Sequence, residues 1–293
     1  MEDLIKKFLN YLQEEKKLSK NTLESYRRDV KNYVAFLNEK ELTVLNSNQE
    51  TILQYVEKME NDKKLPSTIS RNIASIRSFY KYLNGEKLVN EDPTKDVESP
   101  KIERKAPSIL SNSQIELLLE QPKSSDLKGL RDKAMLELVY ATGIRVTELI
   151  NLNVQDVDFK NGYITARNND KSRRIPVGSM AAKALNEYLQ KARGNLIKEE
   201  DNTSLFVNVN GNRLTRQGFW KIIKYYQEQA NIDVEITPHT LRHSFAVHLL
   251  ENGAEIGEIQ EMLGHTDKTS TQVYASITQN RLKDVYNKAH PRA

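Results

Sequence analysis

The stretch HTLRHSFAVHLL, residues 239–250, places three of the chain's five histidines and one arginine in an otherwise largely apolar segment. Thr237 is a suitable N-cap and Pro238 a suitable first helical residue, so His239 falls in the first turn of a helix and Arg242 one turn later. Free backbone N–H groups, the positive end of the helix, an imidazole and a guanidinium would then converge. This combination predicts a phosphate-binding site.

Two other interpretations of this stretch stay open. In an ordinary packed helix the apolar residues would face inward; they are Phe245, Val247, Leu249 and Leu250. His239 and His243 also have the i, i+4 spacing of a zinc-binding pair, but position 240 is threonine rather than the glutamate of an H-E-x-x-H motif. The chain has no cysteine to complete such a site. We therefore expect no metal, and we expect His243 and His248 to be structural or at most to support the phosphate-facing residues.

Three further positions extend the pattern. In ATGIRVTELINL, Gly143 stands where a helix would end, and Arg145 immediately precedes the next helical segment. The stretch EMLGH repeats this arrangement with Gly264 and His265. A glycine stop fixes the direction of the chain, so the side chain that follows it can be aimed into a cleft. Tyr274 comes soon after, and beside phosphate-binding histidines and arginines a tyrosine is a candidate nucleophile.

The elements that must position these residues begin with four amphipathic helices. Apolar residues recur at helical spacing in residues 4–12 and, after the start signal LSKNT, in residues 23–37. A third helix is predicted to start at a capping box formed by Ser47 and Glu50, and a fourth to run from Ser67 to Gly85. The next segment, NEDPTKDVESPKIERKAP, has three prolines and hardly any large apolar residue. The predicted organisation is a helical domain over 1–90, a linker over 91–107 and a second domain with a C-terminal tail over 108–293.

The second half of the chain mixes helices with a small sheet. Helices are predicted at about 112–121 and 128–142. The stretch VDFKNGYITARNNDKSRRIPVG then alternates strand-like runs with turn residues, which predicts three antiparallel strands. Helical patterns resume, with a short hairpin signal at LFVNVNGNRLT. The expected fold class is mainly α with a small antiparallel β-sheet.

Composition narrows the function classes. With no cysteine among 293 residues, the chain has no disulfide, thiolate metal site or cysteine nucleophile. No apolar run approaches the roughly 20 residues needed to span a bilayer, so we expect a soluble, cytoplasmic protein. The net charge of +4 permits binding to nucleic acid but does not by itself argue for it.

The order Arg145, His239-x-x-Arg242, His265, Tyr274 resembles the signature of the tyrosine recombinases, also called the lambda-integrase family. The matching stretches are ATGIRVTEL, HTLRHSFAVHLL and LGHTDKTSTQVY. The resemblance covers nearly the whole chain, because the helical N-terminal half looks like the family's SAM-like core-binding domain and the rest like its catalytic domain. The ending RLKDVYNKAHPRA and the compact length look most like bacterial Xer recombinases, in particular XerD-like ones.

The resemblance implies a mechanism that needs no cofactor. Tyr274 would attack the scissile DNA phosphate, forming a 3′-phosphotyrosyl bond and releasing a 5′-hydroxyl. Arg145 and Arg242 would stabilise the negative charge that grows on the non-bridging oxygens. His239 and His265 would donate hydrogen bonds or handle protons.

The family's general acid is a lysine on the β2–β3 hairpin, and here the sequence departs from the pattern. Xer relatives commonly show a stretch like GKGNKER, whereas this chain reads ARNNDKSRR, one residue shorter and without the first lysine. Lys171 is therefore our candidate for the general acid. Alternatively, Lys171 contacts the DNA backbone and Arg167 substitutes poorly, since a guanidinium rarely releases a proton.

The resemblance also implies partners. The family encloses double-stranded DNA between its two domains and acts as a tetrameric synapse on two duplexes, here with a second Xer recombinase and the FtsK translocase as candidate partners. The C-terminal tail, with Leu282 and Val285 as anchors, would pass to a neighbouring protomer or dock on its own domain. Candidate DNA contacts, which are equally compatible with an ordinary solvated surface, are Lys20, Asn21, Thr22, Arg28, Arg71, Arg77 and Arg173.

Four functions are compatible with these residues. The first is a site-specific recombinase that resolves chromosome dimers, and the second is the integrase of a phage or other mobile element. The third is a DNA-binding regulator that keeps the fold without catalysis, which the complete set of candidate catalytic residues argues against. The fourth is a type IB topoisomerase, which would relax supercoils without a specific site.

Overall fold

The computed structural model describes residues 1–101, 107–168, 171–199, 201–264 and 274. The chain divides into two compact units, Met1–Lys105 and Ala106–Ala293, and each has a hydrophobic core of its own. Within the described part of the chain, no helix is both long and apolar enough to cross a membrane.

Four helices build the first unit: α1 (Glu2–Glu14), α2 (Lys20–Glu39), α3 (Gln49–Asn61) and α4 (Pro66–Gly85). As the LSKNT signal predicts, Ser19 caps α2 by accepting a hydrogen bond from the Thr22 amide. The capping box predicted at Ser47 is wrong by one residue. Asn48 caps α3 instead, because its carboxamide accepts from the Thr51 amide while the Thr51 hydroxyl accepts from the Asn48 amide.

The segment that follows α4 packs back onto this unit. Val97 is buried in the helical core, and the Arg77 guanidinium donates to the backbone carbonyls of Val97 (2.7 Å) and Thr94 (3.4 Å). Residues 91–101 of the predicted linker therefore belong to the compact body of the first unit.

The second unit surrounds its core with helices and carries one small sheet. Its helices are α5 (Asn112–Glu120), α6 (Leu127–Thr142), α7 (Val146–Asn151), α8 (Ser179–Tyr188), α9 (Gly194–Leu196), α10 (Arg216–Gln229), α11 (Pro238–Glu251) and α12 (Ile256–Leu263). A π-helical segment, Leu189–Arg193, joins α8 to α9. The strands are β1 (Val157–Asp158), β2 (Tyr163–Asn168) and β3 (Lys171–Pro176), paired antiparallel in that order as predicted. The mainly helical fold class with a small antiparallel sheet is confirmed.

The register of the sheet decides which side chains face the core. Ala166 pairs with Arg173 and Ile164 with Ile175, and both isoleucines are fully buried. Since side chains alternate along a strand, Lys171, Arg173 and Ile175 share the inward face of β3.

The hairpin predicted in LFVNVNGNRLT is reduced to an isolated bridge between Val207 and Arg213. The Asn208 carboxamide accepts hydrogen bonds from the amides of Asn210 and Asn212. This side chain satisfies backbone groups that would otherwise extend a ladder of strand hydrogen bonds.

Candidate active site

The end of α6 packs against α11 and the end of α12 at Gly143. Gly143 has φ +56° and ends α6 in the left-handed conformation that the sequence predicts. A Cβ at this position would lie 2.4 Å from Phe245 Cδ1 on α11 and 2.7 Å from Leu263 Cδ2 on α12. Only a glycine therefore allows the end of α6 to approach these two helices so closely.

Arg242 lies at this junction and is 6% exposed. Its Nη1 donates to the Gly143 carbonyl and its Nη2 to the Leu263 carbonyl at 2.7 Å. Burial, reinforced by the nearby positive charge of Arg145, lowers the pKa of Arg242 to about 10. The guanidinium stays cationic near neutral pH, and it sits at the C-terminal, negative ends of α6 and α12.

Arg145 precedes α7 and reaches the same helix end. Its Nη2 donates to the Gly264 carbonyl at 2.8 Å, and its Nη1 donates to Glu148 Oε1 at 3.1 Å. Gly264 ends α12 with φ +62°, also as predicted. The two arginines therefore contact the carbonyls of the last two described residues before the segment that leads to Tyr274.

Glu148 is a buried carboxylate that holds two arginines, and the sequence reasoning did not single it out. It is 2% exposed. Besides the Arg145 side chain, it accepts hydrogen bonds from the Arg145 amide (2.9 Å) and from Arg173 Nη1 (2.6 Å) and Nη2 (2.9 Å). Burial alone would raise the pKa of Glu148, but the bonds from Arg173 and Arg145 outweigh it and lower the pKa. The available signal was the Arg145-x-x-Glu148 spacing, which is that of a residue reaching back to the start of its helix.

Arg173 ties the sheet to α12. Its Nε donates to the Met262 carbonyl at 2.7 Å, and a Cβ on Gly264 would lie 2.9 Å from its Nη1. The guanidinium of Arg173, a candidate DNA contact, therefore binds groups of its own unit. It shares the Glu148 carboxylate with Arg145.

Tyr274 lies in an apolar cluster beside these groups. It is 2% exposed and packs with Phe245, Val247 and Leu263, among others. Burial raises the pKa of its phenol, whereas the charges of Arg242 and Arg145 act in the opposite direction. The candidate nucleophile is thus protonated and shielded from water in this structure.

His243 contacts the candidate nucleophile directly. Its Nδ1 lies 2.9 Å from Tyr274 Oη, and the two ring centroids are 5.4 Å apart. From the sequence, His243 is expected to be structural or at most to support the phosphate-facing residues, and a contact to Tyr274 is compatible with the supporting role. Burial, together with His239 and Arg242, lowers the pKa of His243 to about 4, and the imidazole is neutral near neutral pH.

The other two histidines of α11 have different surroundings. His239 lies one turn before His243, with ring centroids 6.3 Å apart. Burial and the charges of Arg242 and Arg216 lower the pKa of His239 as well. His248 is buried at the far end of the helix, where its Nδ1 lies 2.9 Å from the Tyr140 hydroxyl.

The start of β3 places Lys171 at the edge of this site. Lys171 is exposed and pairs with Asn168 at the end of the hairpin. It shares a strand face with Arg173, which binds Glu148. Arg167 lies on the opposite face of the hairpin and forms an ion pair with Asp156. His265 and the tail from residue 278 onward, including Leu282 and Val285, lie outside the described residues.

The candidate DNA contacts of the first unit fall into two groups. Lys20, Asn21 and Arg28 are exposed on α2, and the Thr22 hydroxyl bonds to Ser19. Arg71, by contrast, forms an ion pair with the buried Asp29, and Arg77 binds carbonyls of its own unit as described above. The exposed members are the side chains available to another molecule.

A buried guanidinium, a partly exposed one, neutral imidazoles and a buried phenol form a site suited to an anionic phosphorus centre. Among the described residues, no group of three or more histidine, aspartate or glutamate side chains could hold a metal ion.

Comparison with known proteins identifies the family. The profile of the Phage integrase family matches residues 108–281, and that of the Phage integrase N-terminal SAM-like domain matches residues 5–87. The chain belongs to the phage integrase family and is a site-specific recombinase of the tyrosine type.

The similarity to individual proteins extends over the full length. The chain is 46% identical to Tyrosine recombinase XerD of Oceanobacillus iheyensis, covering 100% of both chains. It is 44% identical to Tyrosine recombinase XerD of Halalkalibacterium halodurans, covering 99% of this chain and 98% of that protein. The solved structure of the XerH site-specific recombinase bound to difH DNA has the same fold, with a TM-score of 0.75 at 19% identity and coverage of 96% and 94%. The chain is thus XerD-like.

Proposed function

We propose that this protein resolves chromosome dimers by cutting and rejoining double-stranded DNA at a site in the terminus region, through a 3′-phosphotyrosyl intermediate. The observation that carries the chemistry is the convergence of Arg145, Arg242 and the Tyr274 phenol at one helix junction. The relatives named XerD support the biological role, because they match the chain from end to end.

Cleavage begins at the scissile phosphate. Tyr274 Oη attacks phosphorus, the bond from phosphorus to the 5′-oxygen breaks, and the DNA 3′-end stays attached to the protein. Arg242 Nη1 and Nη2 donate to the carbonyls of Gly143 and Leu263, which fixes the guanidinium beside Tyr274. The positive charges of Arg242 and Arg145 stabilise the negative charge that is added on the non-bridging oxygens. His239 and His265 contribute further donors, and the reverse step rejoins a partner strand without a cofactor.

Lys171 protonates the leaving 5′-oxygen. Support comes from the sheet register, which puts Lys171 on the inward face of β3, two residues from Arg173. Arg167 is a poorer candidate, because it lies on the opposite face and its guanidinium binds Asp156. A lysine ammonium can also release its proton, whereas a guanidinium does so only with difficulty.

A structural relative supports the proposed substrate, and the proposed partners are those that the family resemblance implies. XerH, which shares the fold, is described bound to its difH substrate, and double-stranded DNA is accordingly the substrate here. Exchange takes place in a tetrameric synapse on two duplexes, with a second Xer recombinase and the FtsK translocase as partners. Because the substrate is chromosomal DNA, the activity is cytoplasmic.

A nicked suicide substrate tests the chemistry. We expect a covalent protein–DNA adduct with wild-type protein and none with Tyr274→Phe, which keeps the ring but lacks the nucleophilic oxygen. A Tyr274-independent adduct, or no adduct with wild type on any bound site, would refute the proposed mechanism. Mapping bound sites across the genome tests the role: one locus near the replication terminus supports dimer resolution, whereas mobile-element ends support integration.

A further inference from the structure

We propose that His243 is the proton acceptor for Tyr274: its Nδ1 takes the phenol proton as Oη attacks phosphorus and returns it when the DNA is rejoined. The inference rests on the proposed function, in which Tyr274 is the nucleophile. It assigns a direct role in proton transfer to a histidine that the sequence pattern predicts to be structural or at most supporting.

The Tyr274 proton needs an acceptor within the protein. The phenol is 2% exposed, so bulk water has little access to Oη. The charges of Arg242 and Arg145 lower the pKa of the phenol against the effect of burial, but a guanidinium has no lone pair to accept a proton. His243 Nδ1 supplies such a lone pair at 2.9 Å, within the 2.6–3.2 Å range expected of a general base.

The charge state of His243 fits an acceptor. Its pKa of about 4 keeps the imidazole neutral near neutral pH. In the tautomer that carries its proton on Nε2, which the proposal requires, Nδ1 accepts a hydrogen bond from the phenol. The proton stays on Tyr274 until a phosphate is bound, because the phenol is much the weaker acid. The phenol becomes more acidic as Oη bonds to phosphorus, and the negative phosphate favours an imidazolium beside it.

The proton and electron balance closes. The O–H bond of Tyr274 breaks and its proton moves to His243 Nδ1, while Oη forms the bond to phosphorus. The bond from phosphorus to the 5′-oxygen breaks, and that oxygen takes a proton from the general acid. On rejoining, the 5′-hydroxyl attacks phosphorus and returns its proton to the general acid, the phosphotyrosyl bond breaks, and the proton on His243 returns to Oη.

Helix α11 offers a matched control. His248 also bonds through Nδ1 to a tyrosine hydroxyl at 2.9 Å, that of Tyr140. The amide oxygen of asparagine can occupy the position of Nδ1 and accept the same hydrogen bond, but it is not basic. Each of the variants His243→Asn and His248→Asn therefore keeps the hydrogen bond to a tyrosine and removes the base. Only the first of these histidine–tyrosine pairs contains the nucleophile.

Single-turnover cleavage of a nicked substrate, measured on folded protein of equal DNA affinity, is the test. We expect His243→Asn to slow adduct formation by about 100-fold or more and His248→Asn to leave the rate unchanged. Replacing Tyr274 by a fluorinated tyrosine, whose phenol is more acidic, is expected to restore most of the lost rate in His243→Asn but not in His239→Asn. Cleavage by His243→Asn at the wild-type rate, or a deficit that the fluorinated tyrosine leaves intact, would overturn the proposal.

A measurement on the wild-type chain tests the same proposal even where a variant does not fold. In a complex of wild-type protein, cleaved DNA and vanadate, which imitates the five-coordinate phosphorus, the nitrogen NMR signals of His243 are expected to be those of an imidazolium. A neutral imidazole there would overturn the proposal. Neither result bears on the nucleophile itself, which the Tyr274→Phe variant tests separately: an adduct in that variant would remove the proposed function.

Discussion

Replacing Glu148 by glutamine tests how strongly the two arginines depend on one buried carboxylate. The substitution keeps the size of the side chain and removes its charge, leaving Arg145 and Arg173 facing a neutral amide. Removing one partner of a buried ion pair costs about 3–5 kcal/mol. Because the Arg145 side chain is 30% exposed and water can partly replace its bond, the lower end, about 3 kcal/mol, is the appropriate figure.

For a unit of this size, that loss corresponds to a fall of roughly 6–12 °C in the thermal unfolding midpoint. The assay is calorimetry of the full chain, with Glu235→Gln as control. Glu235 is 75% exposed and pairs with Lys224 at 3.4 Å, and its replacement is expected to leave the midpoint unchanged. Equal midpoints for Glu148→Gln and wild type would show that the carboxylate does not hold the arginines together.

The difference in stability between wild type and Glu148→Gln is expected to change with pH in one direction. The pKa of Glu148 is lowered in the folded protein from its ordinary value of 4.5. Its contribution to stability is therefore complete above pH 4.5 and is lost as the pH falls through the lower folded-state value. The gap between wild type and Glu148→Gln should be full near neutral pH and should narrow in acid. A gap that widens in acid would contradict the assignment.

Three further predictions concern other parts of the chain. Lys171→Ala should lose cleavage of ordinary DNA and regain it on a substrate with a 5′-bridging phosphorothioate, whose leaving group needs no acid; absence of rescue would exclude Lys171 as the acid. Arg28→Ala should lower the slope of log affinity against log salt concentration by about 1, whereas Arg71→Ala should chiefly lower the unfolding midpoint, because it leaves Asp29 buried without its ion-pair partner. Gly143→Ala should lower the midpoint by more than Gly162→Ala, since both have positive φ but only the first Cβ would meet another side chain within 3 Å; equal effects would argue against the close contact.

Local signals predicted the elements that hold the site. Thr237 and Pro238 start α11, and Gly143 and Gly264 end α6 and α12 in the left-handed conformation. Each of these depends on neighbours within one helical turn, which are visible in the sequence. Local signals do not decide between two adjacent candidate N-caps. Ser47 and Asn48 are such a pair, and Asn48 is the residue that caps α3.

Contacts between distant parts of the chain were not predictable in the same way. Glu148 is 25 residues from Arg173 along the chain, and His243 is 31 residues from Tyr274. No periodicity or spacing rule links such pairs, since they meet only after several helices have packed. The family resemblance supplied the order of the candidate catalytic residues, but it gave no reason to connect His243 with the tyrosine.

The bonds from Arg145 and Arg242 to backbone carbonyls affect how much the site must reorganise when DNA binds. Both guanidiniums are already fixed by helix-end carbonyls, so the electrostatic part of the site is preorganised when the chain folds. A phosphate that enters meets oriented donors and requires little reorganisation of the protein. Lysine in either place would keep the charge but lose the planar fork that can bind a carbonyl and a phosphate together. Substitution of either arginine is thus expected to weaken the contacts between the helix ends, and the loss of affinity for DNA is expected to follow from that.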